Sequence, residues 1–142
     1  MILLDTNVLS ELMTAKPDEH VIRWVDAQYS TSLHICAITR AEIELGILLL
    51  PESKRKKQLT DAANEMFYDF SGRCLSFDES AAIEYANLVK QRRNKGRPIS
   101  VEDGQIAAIA IANRLLLATR NVRDFEEISE LNILNPWRAA IP

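Results

Sequence analysis

The stretch Ile2-Leu3-Leu4-Asp5-Thr6-Asn7-Val8-Leu9-Ser10 decides the fold. A short apolar run that ends at a carboxylate suits a buried strand of a parallel sheet, with the acid just past its carboxyl end. An acid in that position must be met by hydrogen-bond donors or by a cation, or it costs several kcal/mol.

Working outward, Thr6 to Met13 reads as a short helix, and Asp18 caps a second one whose apolar face includes Val21, Ile22, Trp24 and Val25. Thr31 to Ile35 is strand-like. Thr39-Arg40-Ala41-Glu42 matches a capping box and should open an apolar helix running through Leu50, stopped by Pro51. A polar helix covers Ser53 to Phe70, and Cys74 to Phe77 is a third strand candidate. Asp78 caps a long helix from Glu79 to Asn94, with Gly96 near its C-terminal end. Ser100-Val101-Glu102-Asp103 is a second capping pattern and opens the helix Gly104 to Asn113. Leu115 to Ala118 is a short apolar strand, and Asn132 to Leu134 a last edge strand. Short apolar strands alternating with longer helices predict an α/β fold, a three-layer α/β/α sandwich around a central parallel sheet.

The chain has 142 residues, few Gly or Pro, and no repeat, so a single domain over 1–142 is expected. The acid at position 5 excludes a signal peptide there, and the longest apolar stretch, Ile106 to Ala112, is too short to span a bilayer. Cys36 and Cys74 lack metal-type spacing and read as reduced core residues of a cytoplasmic protein. A net charge of −3 argues against a protein coated in positive charge. It does not exclude a nuclease, because bound cations offset an acidic site. The basic runs Lys54 to Lys57 and Arg92 to Arg97 suit solvated helix faces and ends. The second precedes Asp103, so it is also a candidate approach for RNA.

Open parallel sheets carry their sites beyond the carboxyl ends of the strands. Asp5, Glu42, Asp103, Asn121 and Asp124 all fall at such positions, although nothing in their spacing along the chain joins them. Taken singly, Glu42 and Asp103 can each be explained as the third residue of a capping box. Taken together with Asp5, they point to a shared site for a hard divalent cation such as Mg²⁺ or Mn²⁺, which prefers oxygen ligands.

Four segments carry a family resemblance: Asp5-Thr6-Asn7-Val8-Leu9-Ser10; Thr39-x-x-Glu42-Ile43-x-Leu45-Gly46; Asp103-Gly104-x-Ile106-Ala107-Ala108-x-Ala110; and Ala118-Thr119-Arg120-Asn121-x-x-Asp124-Phe125. In this order they resemble PIN domains, and among these the toxin subunits of VapBC-type toxin–antitoxin modules. The closing Asn135-Pro136-Trp137 resembles the FitB-like branch. The resemblance implies a PIN-like, Rossmann-related fold and a metal-dependent endoribonuclease. It implies that Asp5, Glu42 and Asp103 bind Mg²⁺ or Mn²⁺. A fourth acid often follows the Thr-Arg pair in this family; here Asn121 stands there, and Asp124 lies one helical turn on. Thr6, Asn7, Thr119 and Arg120 look like residues that orient the carboxylates or touch phosphate. The implied partners are an RNA substrate, a small antitoxin that plugs the acidic site, and operator DNA through that antitoxin, with self-association of the toxin.

For phosphodiester hydrolysis, a bound divalent ion lowers the pKa of its water and neutralises developing charge. Two alternatives compete. One is a PIN-like module with a degenerate metal site that works through partners, supported by Asn121. The other is a phosphohydrolase using Asp5 as a covalent nucleophile, which commonly needs an acid where Asn7 stands.

Overall fold

The computed structural model describes residues 1–140. Five parallel strands form one sheet in the order β3-β2-β1-β4-β5: β1 (Ile2–Leu4), β2 (Leu33–Cys36), β3 (Cys74–Leu75), β4 (Leu116–Ala118) and β5 (Ile133–Leu134). Seven helices connect and cover them: α1 (Thr6–Leu12), α2 (Glu19–Asp26), α3 (Ala37–Leu48), α4 (Lys54–Asp69), α5 (Glu79–Asn94), α6 (Val101–Ala112) and α7 (Val122–Phe125). The predicted α/β/α sandwich is what the chain forms.

The period of two along each strand divides the core. In β1, Ile2 and Leu4 face a core filled by Val8 and Leu9 of α1, Val21 and Trp24 of α2, Ile43 of α3, and Ala63 and Phe67 of α4. Leu3 faces the opposite way, into a core built from Ala81 and Leu88 of α5, Ile106 to Ala110 of α6, and Phe125 of α7. Both faces are covered, which is why β1 and β4 read as uninterrupted apolar runs.

From β1 the chain steps outward through β2 to β3, then returns to β4 on the other side of β1. The order reverses between β1 and β4, where Leu4 pairs with Ala118 and the Asp5 amide donates to the Ala118 carbonyl at 2.9 Å. Such a switch point opens a crevice at the carboxyl edge.

Several local expectations are corrected. α3 begins at Ala37 with Cys36 at its cap and no side-chain cap bond, so Thr39-x-x-Glu42 is no capping box. Thr39 is fully buried inside the helix, and its hydroxyl meets the Thr6 hydroxyl and accepts from the Cys36 thiol instead. Glu42 therefore sits in the second helical turn. α6 begins at Val101, before the expected Gly104, because Ser100 Oγ accepts from the Asp103 amide at 3.2 Å and closes the first turn. β2 is preceded by a 3₁₀ turn, Ser30–Ser32, rather than starting at Thr31. Cys36 is buried, but Cys74 is exposed, because β3 is a two-residue edge strand.

Within the Arg92 to Arg97 run, Arg92 and Arg97 are structural fastenings. Arg92 is only 4% exposed. Its guanidinium donates to the carbonyls of Arg97 (2.7 Å), Asp124 (2.7 Å) and Glu126 (3.1 Å). Arg97 donates to the Arg123 carbonyl and sits between Glu126 and Glu127. These two cations tie the end of α5 to α7, while Arg93 and Lys95 between them stay exposed. No helix among the described residues is long and apolar enough to cross a membrane.

Candidate active site and metal centre

Asp5 leaves β1 at the switch point and caps α1. Its Oδ1 accepts from the Thr6 amide at 2.8 Å. Its Oδ2 accepts from Thr119 Oγ1 at 2.7 Å and Asn7 Nδ2 at 3.1 Å. Thr119, fully buried just past β4, also accepts from the Asn121 amide at 3.0 Å. Asn7 Oδ1 accepts from the Arg120 amide at 3.2 Å. One lattice of hydrogen bonds thus joins the carboxyl ends of β1 and β4, and it fixes the rotamer of Asp5.

Thr6 makes a second lattice towards α3. Its hydroxyl donates to Glu42 Oε1 at 2.8 Å and lies 3.1 Å from Thr39 Oγ1. A hydroxyl carries one proton, so with that proton on Glu42 the Thr39 hydroxyl is the donor between the two threonines. Asp103 enters from the first turn of α6, half-buried.

The cavity over these groups has a volume of about 440 Å³, and its walls include Asp5, Glu42, Asp103, Asn121, Arg120 and Trp137. Asp124, expected beside Asn121, does not line it. It lines a neighbouring cleft, whose wall Asn121 shares. It still acts through space on Asp103. Neither His20 nor His34 lines this cavity; His20 Nε2 lies 2.6 Å from the Ala139 carbonyl and His34 Nδ1 3.2 Å from that of Ser32.

The electrostatics are unbalanced. Burial pushes the Asp5 carboxyl above its ordinary value, with Glu42 adding to the rise against the hydrogen bonds from Thr119, Thr6 and Asn7. Burial also raises Asp103, and the nearby charges of Asp5, Asp124 and Glu102 raise it further. Among the described residues no Lys, Arg or His forms an ion pair with Asp5, Glu42, Asp103 or Asp124. A buried Asp5, a half-buried Asp103 and an exposed Glu42 lining one cavity, with no ion pair to any of them among the described residues, are an oxygen donor set of the kind a hard divalent cation prefers. As they stand, no three acidic, His or Cys side chains among the described residues close on a common point as a ligand shell. Glu42 is turned onto Thr6.

A family model described as the PIN domain matches residues 2–131. The chain belongs to the PIN-domain family. This PIN domain is 42% identical over 141 residues to the VapC ribonuclease Y4jK of Sinorhizobium fredii, covering 99% of this chain and all of that one. It is 38% identical over 138 residues to the toxin FitB of Neisseria gonorrhoeae, covering 96% and 99%. A solved structure described as FitAB bound to an IR36 DNA fragment superposes with a TM-score of 0.91 at 37% identity, covering 99% of this chain and 98% of that one. Another, VapBC2 from Rickettsia felis bound to a DNA fragment from its promoter, gives 0.81 at 25% identity, covering 95% and 98%.

Two residues of this PIN domain's site carried no assigned role in the sequence. Thr39 resembled a cap, and its hydroxyl role became visible only once α3 was seen to start earlier. Trp137 belonged to a motif with no role of its own. Its position just after β5, at the same carboxyl edge, is the signal that could have placed it in the cavity wall.

Proposed function

We propose that this PIN domain is a Mg²⁺- or Mn²⁺-dependent endoribonuclease, the toxin subunit of a VapBC-type toxin–antitoxin module. The observation that carries the reading is the set of three carboxylates, delivered from the end of β1, α3 and α6 to one crevice, none of which forms an ion pair among the described residues. The relatives named as VapC ribonuclease and FitB toxin support it.

In this reading Asp5, Glu42 and Asp103 hold the cation. When bound there, a divalent ion acidifies water and offsets charge on the phosphate. The chain's own residues do the rest. Thr119 and Asn7 keep Asp5 aimed into the crevice, and Thr6 holds Glu42 within reach of it. Asn121 offers an amide oxygen from the cavity wall, and Asp124 adds negative charge near Asp103. Arg120 stands at the rim, where a phosphate oxygen can accept from its guanidinium.

The antitoxin of such a module would cover the acidic crevice, and the solved relatives that contain DNA fit contact with operator DNA through that subunit. Self-association, a cytoplasmic location and one domain over 1–142 complete the reading.

The test is cleavage of RNA by the purified protein with Mg²⁺ or Mn²⁺ against the same reaction in excess chelator. Activity only with the metal, lost in Asp5→Asn and Asp103→Asn variants that remain folded, is the expected result. Undiminished cleavage in chelator, with contaminating nuclease ruled out, sinks the mechanism. Binding of RNA with no cleavage under any metal would favour a degenerate module, the reading to which Asn121 lends weight.

A further inference from the structure

The acidic cavity does not end at Arg120. A second cleft of about 670 Å³ adjoins it, and the two share Arg120, Asn121 and Trp137 as a common wall. Beyond that wall the charge reverses. The cleft is lined by Arg120, Arg123 and Arg138, opposed by the single carboxylate of Asp124. Among the described residues none of the three guanidiniums forms an ion pair. The Arg120 guanidinium lies over the Trp137 ring, 5.0 Å from its centroid.

We propose that this basic cleft is a subsite for single-stranded RNA, in which a nucleobase stacks on the Arg120–Trp137 pair while Arg123 and Arg138 take the flanking phosphates. The proposal rests on the ribonuclease reading, and it assigns the path of the strand away from the scissile phosphate. Single-stranded nucleic acid is held by combining a positive groove with aromatic platforms, because every base has a face to stack and every linkage a charge. Both components meet here, and they meet at the mouth of the acidic crevice. A divalent cation would take the reacting phosphate in the crevice, and arginines would take its neighbours.

The wall of the cleft is built to keep its shape. Arg92 donates to the Asp124 carbonyl at 2.7 Å and Arg97 to the Arg123 carbonyl at 3.0 Å, so α7 is fastened from behind. The Asn135 side chain accepts from the Trp137 amide at 3.0 Å, and the Arg138 amide donates to the Asn135 carbonyl at 3.0 Å. Through this turn Asn135-Pro136-Trp137 acquires a physical role, which is to present Trp137 at the junction of the two cavities. A preformed site spends less binding free energy on ordering its groups.

The experiment measures binding of a fluorescently labelled RNA oligonucleotide in chelator, so that nothing is cleaved, across a series of salt concentrations. Arg123→Gln and Arg138→Gln should each weaken binding several-fold and flatten the plot of log affinity against log salt by about 0.7. Trp137→Leu should weaken it about tenfold, and Trp137→Phe should restore most of the loss. A duplex of the same sequence should bind more weakly than the single strand. Trp137 also packs against the core, so the two arginine variants decide the matter if Trp137→Leu fails to fold. Wild-type affinity and slope in both arginine variants would overturn the proposal. So would variants that lose an acidic peptide but not RNA, since that would make the cleft a protein-docking site. Failure of the ribonuclease reading looks different: the RNA binds in the cleft, the arginine variants weaken it, and no metal produces cleavage.

Discussion

Asp103 and Asp5 show how one residue can oppose folding and still belong where it is. Both have carboxyls raised above their ordinary values in the folded chain, by burial first and by neighbouring charge as well. The native state then holds its protons to higher pH than the unfolded state, whose carboxylates titrate near 3.9. The stability contributed by the protonated groups is present below that unfolded value and is lost as pH rises through the folded one. In chelator, Asp103→Asn should therefore melt at higher temperature than the wild type at pH 7, with the difference vanishing near pH 3. Parallel melting curves at every pH would show that Asp103 is not under this strain. Asp5→Asn gains less, because the amide nitrogen replacing Oδ2 would confront the Asn7 amide donor. Asn121 belongs to the same scale. It faces the cavity from the cap of α7 with no side-chain cap bond. Asn121→Asp should tighten Mn²⁺ binding in calorimetry, because it adds a charged oxygen. Asp124→Asn should weaken binding less than Asp103→Asn, because Asp124 lies outside the cavity.

At the scale of elements, the position of α6 sets that of Asp103. Gly104 follows it, and a Cβ added there would come within 2.9 Å of the Tyr85 ring on α5. That ring cannot retreat freely, since it packs edge-on against Phe77 with centroids 5.9 Å apart. Gly104→Ala gains at most about 1 kcal/mol of helix propensity. It costs about 1–3 kcal/mol in overpacking between α5 and α6, so the variant should be less stable in urea. A more stable variant would show that the two helices can separate without cost. Arg92 is the other joint. Removing its guanidinium leaves carbonyls of Arg97, Asp124 and Glu126 without that donor, at about 1–3 kcal/mol for each one that water cannot reach. Arg92→Met, which keeps much of the stem's apolar volume, should lose on the order of 3 kcal/mol of stability by chemical denaturation. A loss near zero would mean that α7 holds its place without α5.

For the whole molecule, the acidic crevice couples metal binding to folding. A cation that binds only the folded chain stabilises it by about 2.7 kcal/mol at a hundred times its dissociation constant. For a chain of this size that is a rise of roughly 5–11 °C in Tm. Titrating Mn²⁺ should raise the melting temperature of the wild type and leave Asp103→Asn nearly unmoved. An equal rise in both would place the bound metal elsewhere.

The strands at Ile2, Leu33, Cys74 and Leu116, the cap at Asp78 and the helix behind it were legible in the sequence, because apolar periodicity and capping are local properties of the chain. So was the short list of acids at the ends of strands, since a carboxylate after a buried strand needs an explanation wherever the strand goes. The sequence could not tell that Thr39 serves Thr6 rather than capping a helix, because the hydroxyl's partner is 33 residues away. Nor could it tell that Arg92 is a buried fastening while Arg138 lines an open cleft, because only packing separates them. Asn121 and Asp124, three residues apart, were divided by the single turn of α7, which leaves Asn121 on the wall of both cavities and Asp124 in the basic cleft alone. Residue chemistry sets which groups can hold a cation or a phosphate. Which of them meet is decided by the tertiary structure: the switch of strand order between β1 and β4 joins positions 5 and 121, and the packing of α3 and α6 at that edge of the sheet adds 42 and 103.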